Sequence, residues 1–321
     1  MKLFRVGERK IINILEEYSN PCSNVDTGIG DDAAVLKVNK RLIVASSDMV
    51  REKTHVPREM SPWQVGWYSV NASLSDIASM GALPSGILLS LGLREDMRVE
   101  DLREFASGIK EACRYHNTCV IGGDTKAHSE LTVVVTALGE ADRVMRRDSA
   151  RIGDLICVTG KIGEAAAGFY CLVNKLDIPE KEYLLKAAFE PIARVREGNI
   201  IAEYSKCCMD ISDGLAFSLY EIAEKSNSGF EVFEKKVPRS RGVKKVSHLV
   251  DIPEREIIFH KGGDFELLFT IDKGDFEPLR KALSESVEIT HIGYITGAGR
   301  KLITEDGGEV ELPGRGYESF T

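Results

Sequence analysis

Two successive blocks of apolar and polar segments run along the chain, and each block predicts β-strands interleaved with helices. Runs rich in Val, Ile, Leu or Thr predict strands in the first block at 42–47, 87–91, 118–121 and 131–138. The clearest helix begins after Ser61, an N-cap serine followed by Pro62 at the first helical position and by Gln64, which completes a capping box. This helix is predicted to run to Gly81. Further amphipathic helices are predicted at 1–20 and 99–116.

The second block begins with a new apolar strand after a charged segment, so we predict two domains, residues 1–145 and 146–321. Its strands are predicted at 155–159, 208–211, 230–233, 266–271 and 289–295. Its helices are predicted at 163–176, 193–205, 215–226 and 276–284. Because strands and helices alternate in both blocks, the predicted fold class is α/β or α+β.

Charge and cysteine usage narrow the class of protein. A net charge of −8 argues against nucleic acid as a partner, because phosphate backbones are bound by basic surfaces. The sequence lacks an apolar run long enough to cross a membrane and a signal-peptide pattern. The seven cysteines are scattered without CxxC spacing, which argues against a zinc site or a disulfide framework. We therefore expect a cytoplasmic protein without a membrane or nucleic-acid partner.

Acidic residues recur in one local context, next to Gly or Ser in a turn or at the end of a predicted strand. They are Asp31-Asp32 in "GIGDD", Asp48 in "SSD", Asp124 in "GGD", Asp210 and Asp213 in "DISDG", and Asp264 in "GGDFE". Asp76 lies on the capped helix, where it shares a face with Ala72 and Ser79. One such Asp is usually a turn former or a helix cap. Six such sites are unlikely to be six independent caps, so they favour one shared crevice lined by carboxylates. Such a crevice would lie outside the strand ends, where α/β sheets bind ligands.

Oxygen ligands without a His or Cys cluster are typical of Mg²⁺ sites. Several Mg²⁺ ions held by these carboxylates would attract phosphate groups, and the glycines would let the backbone approach them. The chain has no GxxxxGK[ST] motif, no third glycine of a dinucleotide fingerprint, no GxSxG elbow and no kinase-type HRD or DFG. The six histidines are dispersed, so no competing catalytic cluster is apparent.

The motifs "GIGDDAAVL", "SSDMVREKTHVP", "VNASLSDIASMGALP", "GGDTKA", "MDISDGLAFSL" and "GGDFELLFT" occur in order and resemble those of thiamine-monophosphate kinase. That family belongs to the aminoimidazole-ribonucleotide (AIR) synthetase superfamily. The resemblance covers the chain from about residue 26 to Tyr317. It implies a two-domain AIR synthetase-like fold in which N-terminal mixed sheets form the interface of a homodimer and a C-terminal α/β domain follows. It also implies that ATP, bound through Mg²⁺, phosphorylates thiamine monophosphate to thiamine diphosphate.

The resemblance also implies site residues. The metal ligands would be Asp32, Ser46, Ser47, Asp48, Asp76, Asp124, Asp210 and Asp213. The ATP contacts would be Gly123, Asp124, Arg147 and Ser212, with Arg146 as an alternative bearer of the arginine's role. The contacts to thiamine monophosphate would be His55, Asp264 and Tyr317, although Tyr317 could instead be an ordinary anchored C-terminus.

One motif departs from the family pattern. Many bacterial relatives read Gly-Gly-Glu-Asp-Tyr-Glu where this chain has Gly262-Gly263-Asp264-Phe265-Glu266. The glutamate expected to contact the substrate is therefore missing, and Asp264 is the candidate to replace it.

The implied reaction needs no general base. The second pKa of a phosphate acceptor is about 6, so the acceptor is mostly deprotonated at neutral pH, and bridging metal ions need only position the two phosphate groups.

Other functions fit the sequence less well. A different AIR synthetase-type enzyme with another small substrate is the main alternative. Selenophosphate synthetase would need a reactive Cys or selenocysteine followed by lysine near the N-terminus, whereas Cys22 lies in "NPCSNV". The hydrogenase-maturation relative carries a C-terminal cysteine, whereas this chain ends in "YESFT". A non-catalytic nucleotide-binding module would not need every expected carboxylate.

Overall fold

Two mixed β-sheets organise the chain in a computed structural model that describes residues 8–17 and 22–317. The first sheet contains β1 (Val25–Thr27), β2 (Ala34–Val38), β3 (Arg41–Arg51), β4 (Leu83–Leu93), β5 (Val120–Ala127) and β6 (Thr132–Ala141). Its strand order is β1-β2-β3-β6-β4-β5, and β4 and β5 are its parallel pair. Strand β5 therefore lies at an edge.

The second sheet follows entirely after the first in sequence. Its strands are β7 (Leu155–Thr159), β8 (Cys207–Asp210), β9 (Gly229–Phe233), β10 (Leu267–Ile271), β11 (Ile289–Thr296), β12 (Arg300–Ile303) and β13 (Glu309–Glu311). Their order is β13-β12-β9-β11-β7-β10-β8. The predicted α/β architecture with two domains is confirmed, while the exact division at residues 145 and 146 stays a prediction.

The helices pack on these sheets. Helix α1 (Glu8–Glu17) contacts the second domain through Arg9. The helices that lie between strands of the first sheet in sequence are α2 (Glu52–His55), α3 (Pro62–Ser79) and α4 (Val99–Tyr115). Those that follow are α5 (Glu164–Val173), α6 (Lys181–Phe189), α7 (Val195–Ile201), α8 (Leu215–Lys225), α9 (Arg241–Val250), α10 (Glu254–His260) and α11 (Phe276–Ala282). Among the described residues, none of these helices combines the length and apolarity needed to cross a bilayer.

The sequence prediction found most of these elements but missed the short or peripheral ones. The omissions are β1, β2, β12, β13, α2, α6, α9 and α10. Helix α1 confirms the middle of the predicted N-terminal helix; the remainder of that prediction, at 1–7 and 18–20, lies outside the described residues.

Helix α3 connects the two domains. Its capping box forms as predicted: the Gln64 backbone N–H donates to Ser61 Oγ (3.2 Å), and the Ser61 N–H donates to Gln64 Oε1 (2.9 Å). Ser73 Oγ donates to the Val135 carbonyl of the first sheet (3.1 Å). The Trp67 indole N–H donates to the Pro191 carbonyl of the second domain (2.7 Å). Ser75, in the C-terminal half of α3, contacts Asp210 at the end of β8.

One glycine makes the close packing of α3 on α7 possible. A Cβ atom at Gly198 would lie 2.1 Å from the carbonyl oxygen of Ala78, well inside van der Waals contact. The helices can therefore approach this closely only without a side chain at position 198. This contact helps to fix α3, and with it Asp76, against the second domain.

Candidate metal and nucleotide site

Three carboxylates from distant parts of the chain meet between the two domains. Asp32 comes from the turn before β2, Asp76 from α3, and Asp210 is the last residue of β8. One oxygen from each carboxylate lies within 4.8 Å of the others. The predicted crevice is therefore present for these three residues.

Serine hydroxyls orient two of the three carboxylates. Ser46 Oγ, on β3, donates to Asp76 Oδ2. Ser75 Oγ, on α3, donates across the domain boundary to Asp210 Oδ2 (2.7 Å), and Ser212 Oγ donates to Asp210 Oδ1 (3.0 Å). These neutral donors fix the carboxylates in position without cancelling their charge.

Two more carboxylates border this cluster. Asp48, on β3, faces α3 and interacts electrostatically with Asp76. Asp213, in the turn before α8, interacts with both Asp210 and Asp48. Five of the predicted acidic ligands thus share one region of the molecule. The role of Asp213 could have been only to cap α8, but no side chain forms an N-cap hydrogen bond with that helix.

Burial and neighbouring negative charges raise the pKa values of these carboxyl groups. Burial, reinforced by the charge of Asp32, raises the pKa of Asp210 to about 8. Burial raises the pKa of Asp76 well above its usual range, with Asp48 as the next cause. Burial raises the pKa of Asp213 to about 6, and that of Asp31 also to about 6. Buried carboxylates raised in this way bind protons or a cation.

The donor set fits Mg²⁺. Oδ2 of Asp32 and Oδ2 of Asp48 are buried atoms that have no hydrogen-bond partner among the described residues. Unpartnered buried carboxylate oxygens are costly unless a cation satisfies them. All candidate ligand atoms are oxygens, which hard divalent ions prefer. The residues present therefore suit the metal that the sequence predicts.

One arginine accompanies the cluster. Arg147 lies in a short 3₁₀ turn, Arg147–Ser149, and its Nη2 contacts Asp32 Oδ1. Its Nη1 lies 3.3 Å from Glu221 Oε2, and its backbone N–H donates to Asp31 Oδ2 (3.2 Å). The neighbouring Arg146 instead pairs with Asp148 (2.7 Å) at the surface. The geometry therefore favours Arg147 over Arg146 as the predicted phosphate contact.

The structure separates Gly123 and Asp124 from the carboxylate cluster. Asp48, Val135, Leu89 and Gly123 lie side by side across β3, β6, β4 and β5. Three strand spacings, roughly 14 Å, therefore separate β3 from β5. Asp124 belongs to the next row, whose side chains point to the opposite face of the sheet. Within one chain, Asp124 does not join the cluster.

The outer face of the first sheet carries the remaining predicted metal ligands. Asp124 is 63% exposed and pairs with Lys126 (2.7 Å). Ser47 is exposed and shares a hydrogen bond with Thr136 (2.9 Å). The expectation that these acidic residues end strands was wrong for Asp48 and Asp124, which lie within β3 and β5. Both strands continue past them because their neighbours in the sheet continue to pair.

The three predicted substrate contacts have different surroundings. The Tyr317 backbone N–H donates to the Asp213 carbonyl (3.0 Å), which holds the backbone of this half-exposed residue next to Asp213. His55 ends α2; its Nδ1 accepts a hydrogen bond from the Arg51 N–H (3.2 Å) and lies 2.7 Å from Thr54 Oγ1.

Asp264 caps a helix. Its two carboxylate oxygens accept hydrogen bonds from the N–H groups of Gly163 (2.7 Å) and Ala165 (3.1 Å), at the start of α5. Burial raises the pKa of Asp264 to about 7. Its role in substrate binding stays a prediction, and in this structure both oxygens are engaged by backbone.

Sequence reasoning did not single out Ser75 or Glu221. Ser75 directly precedes Asp76 in "SLSD", so its position next to a candidate ligand was the available signal. Glu221 lies on α8, where the pattern predicts an ordinary amphipathic helix, so no local signal marked it. Only the assembled fold brings Glu221 to Arg147.

A cavity of about 750 Å³ opens beside the edge strand of the first sheet. Helix α4 and strands β4 and β5 form its largely apolar lining, which includes Leu89, Phe105, Ile109 and Val120. Its volume lies within the range of small-molecule sites. It also lies next to the predicted nucleotide contact Gly123 on β5.

The chain matches known proteins over most of its length. Residues 30–141 match the family "AIR synthase related protein, N-terminal domain", and residues 151–304 match the corresponding C-terminal domain. The thiamine-monophosphate kinase of Methanospirillum hungatei is 38% identical over 94% of this chain and 97% of its own. That of Pyrococcus horikoshii is 34% identical over 98% of this chain and 96% of its own.

A solved structure agrees with these relatives. "AaThiL complexed with AMPPCP and TMP" superposes with a TM-score of 0.88 at 28% identity, over 99% of both chains. The sequence of both halves of the chain and its three-dimensional structure are thus similar to those of thiamine-monophosphate kinases. The chain belongs to the thiamine-monophosphate kinase family, among the AIR synthase related proteins.

Proposed function

We propose that this protein transfers the γ-phosphoryl group of ATP to the phosphate of thiamine monophosphate, giving ADP and thiamine diphosphate. The carboxylate cluster of Asp32, Asp76 and Asp210 carries the proposal, because it joins both domains in a chain similar to thiamine-monophosphate kinases. The similar solved structure is a complex of AaThiL with AMPPCP and TMP, an ATP analogue and thiamine monophosphate.

The cluster would hold Mg²⁺. Asp32, Asp76 and Asp210 are the central ligands that we propose, with Asp48 and Asp213 beside them. Bound Mg²⁺ would neutralise phosphate charge and align the two phosphate groups. Ser46, Ser75 and Ser212 keep the carboxylates in the required orientation.

The chain's own residues supply positioning rather than proton transfer. The acceptor phosphate is mostly deprotonated at neutral pH, since its second pKa is about 6. A general base is therefore unnecessary. Arg147 presents a guanidinium at the edge of the cluster, where it can contact a bound phosphate. Tyr317 lies next to Asp213, where the rest of the substrate would extend.

We also propose that the protein is a homodimer whose partner sheet completes the site. Gly123 and Asp124 lie on an exposed edge strand, roughly 14 Å from β3, and the Asp124 side chain points to the opposite face of the sheet from Asp48. A second copy that packs its first sheet against this one would bring these residues to the cluster. The apolar cavity beside β5 would then receive the base of ATP. A cytoplasmic location stays a prediction from the scattered cysteines.

The reaction is tested by measuring ADP release together with product chromatography. Parallel samples contain MgATP with thiamine monophosphate, with thiamine, or without an acceptor. We expect thiamine diphosphate only from the monophosphate and only with Mg²⁺. ATP binding without this product would move the function to another AIR synthetase-type substrate.

The shared site is tested by mixing two inactive variants. Asp124→Asn and Asp210→Asn are unfolded together, refolded together, and compared with each variant alone. If Asp124 acts across the dimer, a mixed dimer contains one intact site, and activity returns to about a quarter of the wild-type value for random pairing. Activity no higher than that of the separate variants would contradict the composite site.

A further inference from the structure

A chain of ion pairs leads from the N-terminal helix to the carboxylate cluster. Arg9, on α1, contacts Glu221 Oε1 through its Nη2, and its guanidinium lies 4.5 Å from the centre of the Phe217 ring. The other oxygen of Glu221 lies 3.3 Å from Arg147 Nη1. Arg147 Nη2 contacts Asp32 Oδ1. Four charged side chains therefore alternate in sign between the surface and the cluster.

The position of Arg147 decides how much of Asp32 remains available to a metal. A guanidinium stays protonated in proteins and competes with a metal ion for the same carboxylate. Arg147 contacts Oδ1 of Asp32, while Oδ2 is buried and has no hydrogen-bond partner within residues 8–17 and 22–317. The two side chains are 16% and 1% exposed, so water screens little of their interaction.

Glu221 binds the terminal nitrogen of Arg147 that does not contact Asp32. It lies on α8 and engages Nη1, whereas Asp32 contacts Nη2 and Asp31 Oδ1 lies 3.8 Å from Nε. Without this carboxylate, the guanidinium could turn both of its terminal nitrogens toward Asp32. That bidentate arrangement is the preferred geometry of an arginine–carboxylate pair and would occupy both oxygens.

We propose that Glu221 is a positioning residue that holds Arg147 at the edge of the cluster, so that one oxygen of Asp32 stays free for Mg²⁺. Arg9 holds Glu221 in turn, so that helix α1 contributes to the metal site although it lies outside it. This inference rests on the magnesium site of the proposed function. It assigns a role to three residues, Arg9, Glu221 and Arg147, that act as one unit.

The test is a double-mutant cycle on Mg²⁺ binding, measured by calorimetry with the metal alone and the full-length protein. We expect Glu221→Gln to weaken Mg²⁺ binding about tenfold, because Arg147 then covers Asp32. Arg147→Gln should strengthen it. In the Arg147→Gln background, Glu221→Gln should change the affinity less than about twofold. An equal effect of Glu221→Gln in both backgrounds would overturn the proposal, since it would show simple loss of charge.

Glu224→Gln is the matched control, because it removes an exposed carboxylate from the same helix. We expect it to leave Mg²⁺ affinity within about twofold of wild type. Arg9→Gln should add nothing in the Glu221→Gln background, since Arg9 acts through Glu221. Circular dichroism checks that each variant is folded.

Kinase assays on the same proteins separate this inference from the proposed function. If the wild type forms no thiamine diphosphate, the proposed function is refuted. The metal-binding cycle would still decide the role of Glu221. Normal kinase activity with an additive cycle would refute only the role of Glu221. A wild-type protein that does not bind Mg²⁺ at millimolar concentration would overturn the role of Glu221, whatever its kinase activity.

Discussion

Replacing Asp210 by Asn removes one of three carboxylates that meet within 4.8 Å, and we expect it to stabilise the metal-free protein while abolishing catalysis. With an effective dielectric constant of about 20, two unit charges at this distance repel by roughly 3.5 kcal/mol. The wild-type protein relieves part of this repulsion by binding a proton, because the pKa of Asp210 is raised to about 8. Asn keeps the size of the side chain, and the hydroxyls of Ser75 and Ser212 can still hydrogen-bond to it.

The raised pKa fixes the sign of the pH dependence. The unfolded carboxyl loses its proton near pH 4, whereas the folded one keeps it until about pH 8. The metal-free wild type therefore loses stability as the pH rises through this interval. The advantage of the Asn variant should grow by up to roughly 1.4 kcal/mol per pH unit between pH 5 and 8.

Urea unfolding at pH 5.5 and 7.5, in EDTA and in Mg²⁺, measures both effects. Mg²⁺ should stabilise the wild type, since it binds the folded state, and should have little effect on Asp210→Asn. Asp177→Asn, which removes an exposed carboxylate from the second domain, should behave like the wild type. An Asp210→Asn protein that is less stable than wild type at pH 7.5 in EDTA, or equally stabilised by Mg²⁺, would refute the reasoning.

Three further predictions follow from contacts elsewhere. Asp48→Asn should nearly abolish turnover in the ADP-release assay, because it removes a buried carboxylate beside Asp76, while the circular dichroism spectrum stays unchanged. An active variant that Mg²⁺ saturates normally would argue against the metal assignment. Glu266→Gln should lower the free energy of unfolding by about 3 kcal/mol in urea, because it removes the buried carboxylate that pairs with the partly buried Arg194. A loss below about 1 kcal/mol would contradict this. Burial lowers the pKa of His116 to about 4, so stability should fall as the pH drops from about 6.5 toward 4. His116→Gln should flatten that part of the melting-temperature profile, and an unchanged slope would assign it to other groups.

Local signals in the sequence predicted the elements that local interactions determine. The start of α3 followed from Ser61, Pro62 and Gln64, and both hydrogen bonds of the capping box are present. Asp76 was correctly placed on a helix with small neighbours, and Asp210 at the end of a strand. The N-cap, the helical period and the short apolar run each depend on a few neighbouring residues, which the sequence displays directly.

Other features depend on pairing between distant segments. The separation of Asp124 from Asp48 arises because β6 and β4 lie between β3 and β5, an order that no local pattern contains. Asp264 lies in a glycine-rich motif like the metal ligands, but the fold places it under the first turn of α5. Glu221 has the pattern of a solvated charge on an amphipathic helix, and only the approach of the Arg147 turn gives it a partner.

The most direct test of a cation-binding carboxylate cluster is an anomalous difference map from crystals grown with Mn²⁺ and a non-hydrolysable ATP analogue. The structure predicts a strong peak bounded by Asp32, Asp76 and Asp210, about 2.2 Å from their oxygens, with the analogue's phosphates on its open side. A map in which the analogue is bound and Mn²⁺ lies elsewhere, with these three carboxylates still contacting only Ser46, Ser75, Ser212 and Arg147, would contradict it.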